Sequence, residues 1–105
     1  MVNQFEVHLI SLDPTKGAEM KKTRPCVIVS PDETNGALKT VIIAPLTSTK
    51  RNYPFRAGVT FQGKKGEIAL DQMRAIDKTR LIKKLGTVHG SAASKIITIL
   101  QEMFS

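Results

Sequence analysis

The chain is poor in the residues that usually announce a chemistry. Its 105 residues include no tryptophan, one tyrosine and one cysteine. A lone Cys26 closes no internal disulfide, and its place in an apolar run reads as a small core residue; both fit a reducing cytoplasm. The two histidines, His8 and His89, lie far apart in sequence, so no zinc-type spacing exists. No Asp-x-Asp or similar carboxylate cluster offers a magnesium site. The expectation is therefore no metal and no cofactor. A Gly-rich nucleotide fingerprint and a nucleophile elbow are also missing, which argues against nucleotide hydrolysis and α/β-hydrolase chemistry. No apolar run approaches the roughly 20 residues that cross a bilayer. The start, Met-Val-Asn-Gln-Phe-Glu, lacks the basic and then apolar regions of a signal peptide.

Acidic residues are scarce too. Nine Asp and Glu face sixteen Lys and Arg, for a net charge of +7. Between Lys39 and Lys95 the acids are only Glu67, Asp71 and Asp77, against twelve basic residues. Such a skew suits a polyanionic partner, because phosphate neutralisation supplies most non-specific nucleic-acid affinity. A flexible acidic protein segment would satisfy the same surface.

What is present is a globular chain, 41% hydrophobic, long enough for one domain over residues 1–105 with a modest core. Residues 5–12 alternate apolar and polar and read as a strand stopped by Asp13-Pro14. Residues 26–30 form a short buried strand closed by Pro31, and Asn35-Gly36 is a turn signal. A β-branched strand over 39–46 follows, with Pro45 predicting an irregular end or a sheet edge. Further strands are expected over 56–62, 67–73 and 81–85, with a basic turn at Gly63 to Gly66 and a helical turn at Asp77 to Arg80. Ser91 can cap a final helix whose apolar stripe is Ala93, Ile96, Ile97, Leu100 and Phe104. Short, closely spaced strands plus one helix predict a mainly β fold: a small antiparallel barrel with a C-terminal helix.

The polar residues with chemical potential sit at strand ends: Glu19, Arg24, Thr47, Ser48, Asp71 and Gln72. Arg24 precedes Pro25 and the buried strand, so its backbone is held stiffly. An arginine fork, a hydroxyl pair and a carboxylate converging on one face would suit a phosphodiester. Alternatively, Arg24 pairs with Asp71 or Glu19 in an ordinary ion-pair network.

The blocks Leu12 to Glu19, Thr23 to Pro31, Ala44-Pro45-Leu46-Thr47-Ser48, Tyr53-Pro54-Phe55 and Asp71 to Lys78 occur in this order, ahead of the expected helix. Together they resemble the MazF/PemK (Kid) toxin ribonucleases over nearly the whole chain. The resemblance implies an SH3-like barrel of the CcdB/PemK kind, a homodimer and a cognate antitoxin with an acidic disordered tail. It also implies metal-independent, sequence-specific cleavage of single-stranded RNA, in which a ribose 2′-hydroxyl attacks the adjacent phosphate. The family's arginine falls on Arg24, its loop threonine on Thr47, its glutamate on Glu19, and its Asp-Gln pair on Asp71 and Gln72. Lys50, Arg51, Lys64 and Lys65 would then follow the RNA backbone beside Ser48, and Tyr53 or Phe55 would stack on a base. One departure stands out: the PemK/Kid branch has an arginine two places before the aspartate, where this chain has Ala69. A CcdB-type toxin that binds a topoisomerase, or an RNA-binding module without catalysis, would share the fold.

Overall fold

The structure, a computed structural model, describes residues 1–12 and 23–105. Seven strands and two helices follow one another as β1 (Glu6–Ser11), β2 (Thr23–Ile28), α1 (Asp32–Ala37), β3 (Thr40–Thr47), β4 (Arg56–Phe61), β5 (Lys64–Ala69), β6 (Arg74–Asp77), β7 (Leu81–Thr87) and α2 (Gly90–Met103). Single 3₁₀ turns at Leu70–Gln72 and Lys78–Arg80 flank β6. All pairings are antiparallel, in the order β4-β5-β3-β2-β1-β7, with β6 also on β3.

The apolar run of β2 is buried on both faces of the sheet. Val27 joins Val7, Ala44, Ile68 and Ile96 in one cluster, whereas Cys26 and Ile28 join Ile10, Val41, Ile43 and Ile76 in the other. Period-two alternation thus splits adjacent residues between two cores. Burial pushes the Cys26 thiol up to about 11, against the opposing charges of Arg24 and Arg74. The native protein is therefore expected to resist iodoacetamide at pH 8 and to react only on unfolding; rapid labelling of the folded chain would contradict this.

β3 changes partners along its length. Thr40 to Ile43 pair with β6, and Leu46 and Thr47 pair with β5. Pro45, which lacks an amide donor, falls in the gap between these two ladders, as its irregular end anticipated. The sheet curls until its outer strands meet through side chains. Gln62 Nε2 donates to the Leu85 carbonyl at 3.0 Å, and a Cβ on Gly86 would lie 2.9 Å from the Phe61 ring. Helix α2 packs on β4 and the first 3₁₀ turn, with Ile96 fully buried.

Several local expectations shift. Asn35-Gly36 lies inside α1, where Pro31 and the acids Asp32 and Glu33 supply the start signals and the buried Asn35 exchanges hydrogen bonds with Ser30 (2.5 and 2.9 Å). The β4–β5 turn is Gln62-Gly63 alone, so Lys64 and Lys65 already belong to β5. The strand expected over 67–73 ends at Ala69, which leaves Asp71 and Gln72 on the 3₁₀ turn. Helix α2 starts at Gly90 with His89 as its extended cap, and its packed stripe runs through Ala92, Ala93, Ile96, Ile99, Leu100 and Met103. Phe104 is 73% exposed and Ile97 lies on the outer face.

Candidate active site

The register of β2 on β3 explains how Arg24 and Thr47 meet. Cys26 pairs with Pro45 and the strands are antiparallel, so two steps further Arg24 stands across from Thr47. On the other side of β3, Thr47 pairs with Glu67 of β5, and Glu67 pairs in turn with Gly58 of β4. Residues more than forty apart in sequence thereby form one row across four strands.

A cavity of about 490 Å³ opens where the curled edges meet. Its wall includes Arg24, Thr47, Ser48, Lys64 and Lys65, with Leu46, Phe61 and Leu85 as its apolar side. Arg24 forms no ion pair among the described residues. The Thr47 hydroxyl donates to the Thr49 carbonyl at 3.0 Å, which leaves its oxygen lone pairs able to accept. A second groove of about 560 Å³ holds Lys50, Lys65, His89 and Lys95. Lys65 borders both spaces, so a band of positive charge runs from the first into the second. None of these lysines is ion-paired among the described residues.

Asp71 lies outside the cavity wall and is engaged elsewhere. Arg56 grips it at two points, Nε to Oδ1 at 2.7 Å and Nη2 to Oδ2 at 3.2 Å. Those bonds, opposed by partial burial, hold the Asp71 carboxyl below its ordinary range. The partner considered from sequence for Asp71 was Arg24; the arginine it pairs with is Arg56, and the other candidate partner of Arg24, Glu19, lies outside the described residues. Arg56 is also directly opposite Ala69 in the β4–β5 ladder. A guanidinium therefore stands across the strand from Ala69, but it is paired with Asp71 and does not line the cavity.

Arg56 further approaches Glu67 Oε1 at 3.6 Å and lies over the Tyr53 ring, 5.0 Å from its centroid. One face of Tyr53 is taken by Arg56, while the residue stays half exposed. Phe55 is 40% exposed, and Arg51 and Gln72 are exposed as well. Glu19 lies outside the described residues. The structure thus brings Arg24, Thr47, Ser48, Lys64 and Lys65 to one cavity and Lys50 and Lys65 to the neighbouring groove, and it sets Asp71 apart with Arg56. Among the described residues, no three His, Cys, Asp or Glu side chains are grouped so as to hold a metal ion.

Sequence reasoning overlooked Arg56 and Glu67. Glu67 is 3% exposed, and its two oxygens accept from the successive amides of Arg51 and Asn52, at 3.0 and 3.1 Å. The Arg51 bond, against burial and with help from Asn52, Arg56 and Lys50, holds this carboxyl below its usual value. A charged residue in a strand flanked by apolar neighbours was the available signal.

A family model described as PemK-like, MazF-like toxin of type II toxin-antitoxin system matches residues 3–104. Among solved structures, the chain is similar to a mycobacterial endoribonuclease in complex with its cognate antitoxin. That match has 23% identity and a TM-score of 0.84, covering 99% of this chain and 95% of the other. It is also similar to the toxin of a MazE-MazF structure from Deinococcus radiodurans, at 22% identity and TM-score 0.83, covering 98% and 95%. A third likeness is to the Mycobacterium tuberculosis toxin MazF-mt6, at 20% identity and TM-score 0.78, covering 94% and 95%. At these identities the structural likeness speaks for the fold.

Proposed function

We propose, from the premise that this chain belongs to the PemK-like, MazF-like toxins of type II toxin-antitoxin systems, that it is a metal-independent endoribonuclease acting on single-stranded RNA. Residues 1–105 act as one toxin domain. The observation that carries the reading is the joint placement of Arg24, Thr47 and Ser48 in one cavity that continues into a lysine-lined groove.

The reaction needs little from the protein because RNA carries its own nucleophile. The ribose 2′-hydroxyl gives its proton to a base and attacks the adjacent phosphorus, the bond to the 5′-oxygen breaks, that oxygen takes a proton from water, and a 2′,3′-cyclic phosphate and a 5′-hydroxyl remain. Negative charge grows on the equatorial oxygens as the phosphorus becomes five-coordinate. Arg24 is placed to stabilise that charge with a fixed fork of donors. Ser48, and Thr47 with its hydroxyl turned from the Thr49 carbonyl to donate, hold the scissile phosphate. A base must take the 2′-hydroxyl proton. Asp71 is the weaker candidate, since its pair with Arg56 lowers its basicity; Glu19 is the stronger.

Lys50, Lys64, Lys65 and Arg51 neutralise the flanking phosphates, and Tyr53 and Phe55 offer ring faces to unstacked bases. Gln72 hydrogen-bonds the RNA beside them. The same basic surface would receive the acidic tail of a cognate antitoxin; the similar mycobacterial endoribonuclease was solved in complex with its cognate antitoxin, and the similar Deinococcus structure is one of MazE-MazF. A homodimer is supported by exposed apolar side chains such as Leu38, Ile42 and Ile82. Among the described residues no helix is long and apolar enough to cross a membrane, and a cytoplasmic site of action follows from the substrate.

Incubation of the purified protein with a long single-stranded RNA in EDTA tests this reading. Fragmentation at a small set of sites is expected, with an equally long single-stranded DNA left intact. Intact RNA, together with inhibition of gyrase supercoiling, would turn the reading over to the CcdB type.

A further inference from the structure

The row Arg24, Thr47, Glu67 reaches a carboxylate that is almost fully buried. Its main chain pairs with Thr47, the first residue of the segment leading out of β3. Its side chain then receives the Arg51 and Asn52 amides, four and five residues further on. One residue therefore fastens both ends of Thr47 to Asn52, the segment that carries Thr47, Ser48, Lys50 and Arg51. We propose that Glu67 is the positioning residue of this site: it fixes the phosphate-binding segment in shape, so that Thr47 and Ser48 stand ready opposite Arg24. This role rests on the ribonuclease reading above.

The chemistry of the carboxylate fits the task. Two successive amides converge on the one carboxylate here, and the chain then turns away at Asn52 with a positive φ of 55°, a conformation asparagine tolerates. Satisfying both amides takes two acceptor oxygens side by side. Glutamate supplies them, glutamine only one, and aspartate falls a methylene short. Arg56 balances the buried charge, and its grip on Asp71 ties the same unit to the 3₁₀ turn after β5. Asp71 thus reaches the segment through Arg56 and Glu67. The strained backbone of Phe55, with φ 63°, marks the far side of the same loop.

The test combines amide hydrogen exchange with steady-state cleavage of a defined single-stranded RNA. In Glu67→Ala the Arg51 and Asn52 amides should lose protection while the Val27 and Ile68 amides keep theirs. The kcat should fall roughly 10²-fold, the size of effect that a misplacement of about 1 Å produces, with KM changed much less. Glu67→Gln, with one acceptor left, should recover at least about tenfold of that loss. Should the alanine variant fail to fold, the glutamine variant alone decides, with one amide released and kcat intermediate. Amides that stay protected, or a kcat unchanged once they are released, would overturn the proposal. A wild-type protein that cuts no RNA would instead overturn the ribonuclease reading, and the exchange data would still report whether Glu67 fixes the segment.

Discussion

Replacing Arg24 with alanine is expected to lower kcat/KM on single-stranded RNA by at least about 10²-fold, the usual cost of losing one preoriented donor to a developing oxyanion. The expectation follows from place as well as residue type. Arg24 sits at the start of β2, directly ahead of Pro25, with its backbone paired to Ile10. No carboxylate among the described residues pairs with it, and it lines the cavity wall beside Thr47 and Ser48. Since it is only half-buried and outside both core clusters, the variant should melt within a few degrees of the parent. Arg24→Lys should recover only part of the activity, because an ammonium keeps the charge but loses the planar fork. Activity of Arg24→Ala within threefold of wild type would remove Arg24 from the mechanism.

The second large effect should come from Gly66→Ala, a change of one methyl group that touches no substrate. A Cβ at position 66 would lie 2.2 Å from the Thr47 carbonyl oxygen and 3.2 Å from its carbon, contacts that backbone atoms cannot absorb without moving. Gly66 is buried within β5, beside the ladder that holds Thr47 against Glu67. The strain should therefore displace the candidate phosphate ligand itself. A loss of about 10²-fold in kcat is expected, along with an overpacking cost of about 1–3 kcal/mol. Gly58→Ala is the contrast: its Cβ would meet nothing within 4 Å, so the melting temperature should hold or rise. Wild-type cleavage by a folded Gly66→Ala protein would show that the position of Thr47 does not matter.

The strands and the final helix were legible because their signals are local. β2 and β3 are announced by the apolar, β-branched runs inside them, although β2 spans Thr23–Ile28 rather than 26–30 because its polar start Thr23-Arg24-Pro25 pairs with β1; α2 is announced by its period. The face that α2 buries was less legible. Ile97 with Phe104 and Ile99 with Met103 both fit a helical period, and only packing against β4 and the 3₁₀ turn chooses the second pair. Asn35-Gly36 misled because a strong turn signal was outweighed by the start signals before it and by the partners Asn35 finds in Ser30.

In the site, Arg24 and Thr47 could be picked out by their likeness to family motifs. Their adjacency needed the β2–β3 register, which no sequence pattern states. Glu67 was hidden for a different reason. Its partners are backbone amides, which every residue except proline possesses, so nothing in the sequence of the loop marks them. Arg56 was hidden by pairing across strands: only the ladder places it opposite Ala69 and in reach of Asp71.

The central claim is that the substrate's own 2′-hydroxyl performs the attack while this cavity stabilises the phosphorane. It is tested most directly by identifying the product ends formed in EDTA from two RNAs of one sequence, one all-ribose and one with a single 2′-deoxynucleotide 5′ to the cut. The account predicts a 2′,3′-cyclic phosphate and a 5′-hydroxyl from the first, and no cut at that bond in the second. A 5′-phosphate with a 3′-hydroxyl, or cleavage that persists at the deoxy position, would contradict it.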